Sequence, residues 1–242
     1  MDTHKEVGID RKTLLIVIGA LILMITMTQT IKAAPNGADL TKVGSERGTN
    51  SSVSSVSAQA GNVTEMNIEQ VRITDIWAGF YGSVTGEIIL ADSGANRFYN
   101  WSDASPTGEV YASRDGAVAW ASIACAQPAN INTEQSGLNI SGTDTDNITN
   151  TFTKTTHDTF DIGDTSFSVD QCNYTTNAYG DTGAQSSTWD EVMLWDGADS
   201  VYSVIIGQDQ TGFDSGTYDF ELLIPTNKSQ SVTQYYFYVE IT

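Results

Sequence analysis

The chain is predicted to be all-β: an antiparallel β-sandwich preceded by an N-terminal hydrophobic signal or anchor helix. Three observations predict it. From residue 62 onward Thr, Val, Ile, Tyr and Gly are plentiful and helix formers are scarce. The C-terminal "YYFYVEI" alternates with period 2, setting Tyr235, Phe237, Val239 and Ile241 on one face and Tyr236, Tyr238 and Glu240 on the other. The first set reads as the buried face and the second as the wetter one. Near the start, "RKTLLIVIGALILMITMTQTIKAA" places Arg11 and Lys12 before an apolar run from Thr13 to Thr28.

That run is the first element. Its length of roughly 16 residues lies between a signal-peptide h-region and a full membrane span of about 20. Ile31 and Ala33 make a tolerable cleavage pair, so residues 1–33 read as a signal peptide in preference to an N-terminal membrane anchor. In either case the positive pair stays inside and the rest of the chain is exported, extracellular or on the cell surface. The membrane is met only through this segment. Residues 34–61 are rich in Ser, Gly, Asn and Ala without apolar periodicity, and read as a flexible stalk. Residues 62–242 are the β-sandwich domain.

Within that domain strands are predicted near residues 67–74, 82–91, 97–101, 108–113, 118–126, 152–160, 166–169, 191–195, 200–206, 217–225 and 235–241. Turn sequences separate them, among them "DSGAN", "RDG" and "DGADS". The polar stretch "QPANINTEQSGLNISGTDTDNITN" (127–150) reads as a long exposed loop.

Two features agree with export. Cys125 and Cys172 are the only cysteines, and a lone pair in an oxidising compartment reads as a disulfide. Closing a loop of about 47 residues is worth on the order of 4 kcal/mol in the chain-entropy model. Asn50, Asn62, Asn100, Asn139, Asn147, Asn173 and Asn227 all begin N-x-S/T sequons, half of the chain's asparagines, which points to a glycosylated surface protein.

The segment "DIWAGFYGSVTGEIILADSGANRFYNW" (75–101) concentrates aromatics. A sandwich must fill the gap between its layers with large side chains, so Trp77, Tyr81 and Phe98 are expected in the core. The same segment, with "GNVTEMNI" before it and "YDFELLIPTN" and "YYFYVEI" at the end, resembles a group of archaeal secreted or membrane-anchored proteins sharing W-x-G-x-Y-G-x-V-x-G-x-I-x-L-x-D. The group has no assigned activity. The resemblance implies a cell-surface setting and supplies no catalytic residue. Asp214, Gly216 and Tyr218 also follow the D-x-G-x-Y spacing of the tyrosine corner, which resembles immunoglobulin-like sandwiches. A jelly-roll-like sandwich is the alternative.

Several chemistries are excluded. With 30 acidic residues against 11 basic ones and a net charge of -19, the chain repels nucleic acid. Its two histidines, His4 and His157, and the absence of Cys-x-x-Cys leave no His-rich or Cys-rich metal centre. There is no G-x-S-x-G elbow to pair with His157, which reads as a surface strand residue, and no nucleotide-binding glycine loop. No cofactor is expected, with Ca²⁺ as the one exception that the acids allow. Asp144 and Asp146, and Asp196 and Asp199, offer hard oxygen ligands on turns, although neither stretch completes an EF-hand. The expected function is that of a non-catalytic, exported interaction or structural protein: an adhesion, envelope or filament component. Its partners would be other cell-surface proteins or glycans, with self-association open. One alternative is a carbohydrate-binding module that uses Trp189 and Trp195, six apart and so on one strand face. Another is a secreted carboxylate-dependent glycoside hydrolase, for which no acid pair stands out.

Overall fold

The computed structural model describes residues 34–242 except 53, 54, 58, 69, 231 and 242. The apolar run at 13–28 lies outside the described residues. No helix among them is long and apolar enough to cross a membrane. Their elements in chain order are β1 (Asn36–Gly37), β2 (Trp77–Gly82), β3 (Gly86–Ala91), β4 (Arg97–Asp103), β5 (Gly108–Ser113) and β6 (Ala124–Cys125). Two helices follow, α1 (Pro128–Gly137) and α2 (Ile148–Thr151). The remainder is β7 (Phe160–Ile162), β8 (Thr165–Phe167), β9 (Thr175–Tyr179), β10 (Gln185–Trp195), β11 (Ser200–Ile205), β12 (Gln210–Thr211), β13 (Thr217–Tyr218), β14 (Phe220–Pro225) and β15 (Tyr236–Ile241). The described residues are mostly β in antiparallel sheets with few helices, consistent with the expected all-β class.

A seven-stranded sheet in the order β1-β15-β5-β11-β10-β6, with β9 also paired to β10, organises the domain. Alternation along its strands sends Val110, Ala112, Trp189, Met193, Tyr202 and Val204 to one face, where Leu222 and Ile224 of β14 join them in one buried cluster. β14 pairs with β2 and lies over β10 and β11, giving a sandwich-like second layer. The opposite face carries Tyr111, Val192, Leu194, Val201 and Tyr238, covered by Phe160, Ile162 and Phe167 of the β7–β8 hairpin. The central sheet is thus buried on both faces. That places large apolar residues at both parities of β10 and β11. Gly108 opens β5 at φ +131°, and a Cβ there would meet the Glu240 carbonyl oxygen at 2.0 Å, so the close β5–β15 approach requires glycine.

The alternation predicted for the last strand holds, but its expected wet face is the better-buried one. Tyr238 and Glu240 are buried, while Phe237, Val239 and Ile241 are intermediate. The cause is the β7–β8 hairpin, which no local pattern in β15 announces. Asn36–Gly37, in the segment expected as a stalk, pairs with Tyr238 and Val239 at the sheet edge. The other described residues of 34–61 have no regular structure and are mostly exposed.

Four further expectations are corrected. The described residues of 67–74 form no strand; instead the backbone N–H groups of Val71 and Ile73 donate to the side chains of Ser51 and Asn50. The predicted strand at 82–91 is two strands, parted where the Asp219 carboxylate accepts the Val84 N–H at 2.7 Å. Residues 118–126 contribute a single 3₁₀ turn, Trp120–Ser122, and the short β6. Of 152–160, Phe160 alone joins a named strand, with Lys154 in an isolated bridge to Thr175.

The stretch 127–150 is no exposed loop. Pro128 starts α1 and a Gln127–Asn130 capping box closes its N-terminus. At the other end Asn139 takes φ 54°, with Asn139 N–H donating to Ser136 and Ile140 N–H to Gln135, a Schellman stop. Ile131, Leu138, Ile140 and Ile148 drop into the core. A single large apolar residue inside the helix, Ile131, is too thin a stripe to show as periodicity.

Candidate functional site

The chain's most unusual surface is the β3–β4 hairpin. It pairs with no other named strand. Its register sets Ile88 opposite Trp101 and Leu90 opposite Tyr99. Cross-strand partners share a face, so these four form one apolar face. All are exposed: Ile88 63%, Leu90 51%, Tyr99 55% and Trp101 52%. The rings of Tyr99 and Trp101 lie side by side at 4.6 Å between centroids. On the other face Glu87 accepts from the Arg97 guanidinium and the Asn100 amide. The "DSGAN" turn closes the tip as expected, with Asp92 accepting the N–H groups of Gly94 and Asn96. At the base, a Cβ on Gly86 would meet the end of the Ile241 side chain at 2.7 Å and Asp103 Cβ at 3.4 Å. A shallow depression lined by Glu87, Ile88, Trp101, Ser102, Asp103 and Ile241 opens beside Trp101.

The aromatics of 75–101 therefore differ from the core expectation. Phe98 is 83% exposed and Tyr81 half exposed, with Tyr81 packed edge-on to Phe213 and Tyr218. Trp77 is half-buried, with Phe152 beside it and its Nε1 donating to the Asp146 carbonyl at 2.6 Å. Strand pairing was legible here. Exposure was not, because it depends on whether another segment covers the hairpin.

The expected stacking platform on β10 does not form. Trp189 is fully buried, and its Nε1 donates to the carbonyls of Asp219 (3.0 Å) and Gly207 (3.3 Å). Trp195 is half-buried. The reason is β14, which covers the face that Trp189 shares with Met193. Tyr218 bonds the Asp214 carboxylate at 3.0 and 3.1 Å, and Gly216 N–H donates to the same group. Its hydroxyl thus closes a local β12–β13 turn through a side chain rather than a distant backbone carbonyl.

Cys125 and Cys172 are bonded, with Cα atoms 5.2 Å apart. Of the sequon asparagines, Asn50, Asn62, Asn100, Asn139 and Asn173 are exposed. Asn147 and Asn227 are buried at 2% and 8%. Asn147 caps α2 through the Asn150 N–H and donates to the carbonyls of Gly142 and Asp144. Asn227 donates to Gly137 and accepts from Asn139. A glycan on either amide would displace these bonds.

Three of the four aspartates considered for Ca²⁺ have carboxylates engaged by other groups of the chain. Asp144 pairs with Lys228 at 2.8 Å, which holds its carboxyl below the ordinary range. Asp146 accepts from Thr74 at 2.5 Å. Asp196 accepts the N–H groups of Ala119, Ala198 and Asp199. Among the described residues, no three His, Cys, Asp or Glu side chains converge on a point. His157 is buried rather than on a surface strand. The Cys172 N–H donates to its Nε2 at 2.9 Å, which leaves the proton on Nδ1 for the Asp158 carbonyl.

An acid pair that sequence reasoning could not single out does exist. Glu109 and Glu240 face each other across β5 and β15, both buried. The Tyr111 hydroxyl lies 3.3 Å from each, and the Gly163 N–H reaches both Glu240 oxygens at 3.0 Å. Burial, then the charge of Glu240, pushes the Glu109 carboxyl up to about 8. Glu191 is likewise raised by burial, with one oxygen accepting from Leu223 N–H. The β7–β8 hairpin covers the pair and both carboxyls are buried.

Comparison of the chain with protein-family models, with curated proteins and with solved structures found no match.

Proposed function

We propose that this is a non-catalytic interaction or structural protein of the cell surface, exported through its N-terminal segment and acting as an adhesion, envelope or filament component. The observation that carries this reading is the apolar face of the β3–β4 arm. Contiguous exposed apolar side chains on an otherwise acidic protein mark a contact surface. An arm with unpaired outer strand edges is also suited to strand addition with a neighbour. The two-layered β domain, read as an immunoglobulin-like or jelly-roll-like sandwich, serves as a rigid support for the arm. The likeness of the 77–92 segment to archaeal surface proteins points the same way.

The test compares the full chain with a double variant, Ile88→Ser with Trp101→Ser. Self-association, measured by sedimentation, and retention in the cell envelope should both fall in the variant while its melting temperature holds. Unchanged association and retention would overturn the reading. So would hydrolysis of glycoside, ester or peptide substrates that one carboxylate substitution abolishes.

The Tyr99–Trp101 pair favours a second reading as a carbohydrate-binding surface. Two exposed rings side by side can stack on sugar faces. Binding to a glycan panel that Trp101→Ala alone removes would support it.

A further inference from the structure

Asn177 of β9 is 4% exposed, and its side-chain amide has a single orientation available. Nδ2 donates to the Trp189 carbonyl at 3.0 Å and to Asp190 Oδ1 at 2.7 Å. With nitrogen committed to two acceptors, the amide oxygen points away from them and is met directly by Lys154 Nζ. Lys154 is brought there by the backbone. Its N–H and C=O both pair with Thr175, beside β9 on the edge that β10 leaves free. Among the described residues no carboxylate lies within ion-pair distance of Lys154. Its ammonium is thus directed at a neutral amide rather than at an acid. The other oxygen of Asp190 accepts the Asp158 N–H at 2.9 Å, which holds the carboxylate in place against Nδ2.

A primary amine on the carbonyl side of a buried carboxamide, with a carboxylate on its nitrogen, is the arrangement needed for transamidation. We propose that Lys154 and Asn177 become joined by an intramolecular isopeptide bond, with Asp190 as the catalytic residue. The Lys154 Nζ lone pair attacks Asn177 Cγ, and the Nζ–Cγ bond forms as the Cγ–Nδ2 bond breaks. The Nζ–H directed at Asn177 Oδ1 gives its proton to that oxygen and so frees the lone pair. Once the Nζ–Cγ bond has brought Nζ beside Nδ2, Asp190 relays the second Nζ proton to Nδ2, Oδ1 returns the first, and ammonium departs. Lysine ammonium and carboxamide go to a secondary amide and ammonium, so atoms and charge balance and no oxidant or cofactor is required. Burial favours the step by keeping water from competing for the carbonyl and by holding the groups in contact. The new bond would tie the segment after α2 to β9, closing a ring across 23 positions that overlaps the disulfide ring. Two overlapping covalent rings would restrain the unfolded chain more than either alone.

The test is the mass of the full chain purified from its native compartment. The expected result is a chain lighter by one ammonia than its sequence and disulfide require. Asp158, Asp161, Asp164 and Asp170 lie between the two residues. After reduction and cleavage at aspartate, the peptides holding Lys154 and Asn177 should therefore remain joined. In Asp190→Asn the ammonia should be retained, with the Cys125–Cys172 bond and the circular dichroism spectrum reporting that the variant has folded. Full mass in the native chain, or ammonia loss with the two peptides separate (a cyclised Asn177), would overturn the proposal. Loss of ammonia in a folded Asp190→Asn at the native extent would overturn the role of Asp190.

Discussion

Replacing Glu109 by Gln should make the protein more stable at neutral and alkaline pH and leave it little changed at pH 4. Glu109 is 5% exposed and sits opposite Glu240, which is 3% exposed. Two buried carboxylates this close repel each other, and one hydroxyl proton from Tyr111 cannot satisfy both. Burial and the Glu240 charge raise Glu109 from 4.5 to about 8. A carboxyl raised in the folded state binds its proton more tightly folded than unfolded. Its contribution is therefore complete below pH 4.5 and is lost as pH rises through about 8. At about 1.4 kcal/mol per unit, the loss across that window reaches at most about 5 kcal/mol. Glu191, raised by burial, adds a loss of the same sign. Gln keeps the shape and does not titrate, so the variant should lose much of the decline. The assay is urea unfolding of wild type and Glu109→Gln at intervals from pH 4 to pH 9. Parallel profiles, or a wild type whose stability does not fall between pH 4.5 and 8, would refute the reasoning.

Trp189→Ala should cost about 3–5 kcal/mol, because it empties a closed site in the core and removes the indole donor from the carbonyls of Gly207 and Asp219, a loss seen in thermal melts. If the protein carries N-glycans, peptide mapping should find them among Asn50, Asn62, Asn100, Asn139 and Asn173, with Asn147 and Asn227 bare; occupancy at either buried amide would contradict their engaged side chains. Asn147→Ala should remove the α2 cap and lower stability by about 1 kcal/mol.

Local pattern alone determined the strands in which both faces are long and regular. Gly108–Ser113 agrees residue for residue, and Ser200–Ile205 and Tyr236–Ile241 agree to within a residue at one end. The lone cysteine pair was legible for the same reason: no other partner exists in the sequence. Which face of a strand is dry was decided elsewhere. Period-2 alternation says that Tyr238 and Glu240 share a face, but the residues that roof them lie some eighty positions earlier, in β7–β8. Trp189 and Trp101 show the same limit from opposite sides. Both stand in strands with alternating neighbours, yet β14 lies over the first and nothing described lies over the second. The Glu109–Glu240 pair and the Lys154–Asn177 contact arise from pairing between segments separated in sequence, whereas the arm pairs locally and only its exposure is set by the rest of the fold. Burial is a property of what packs against a side chain, and a chain read one residue at a time does not contain that partner.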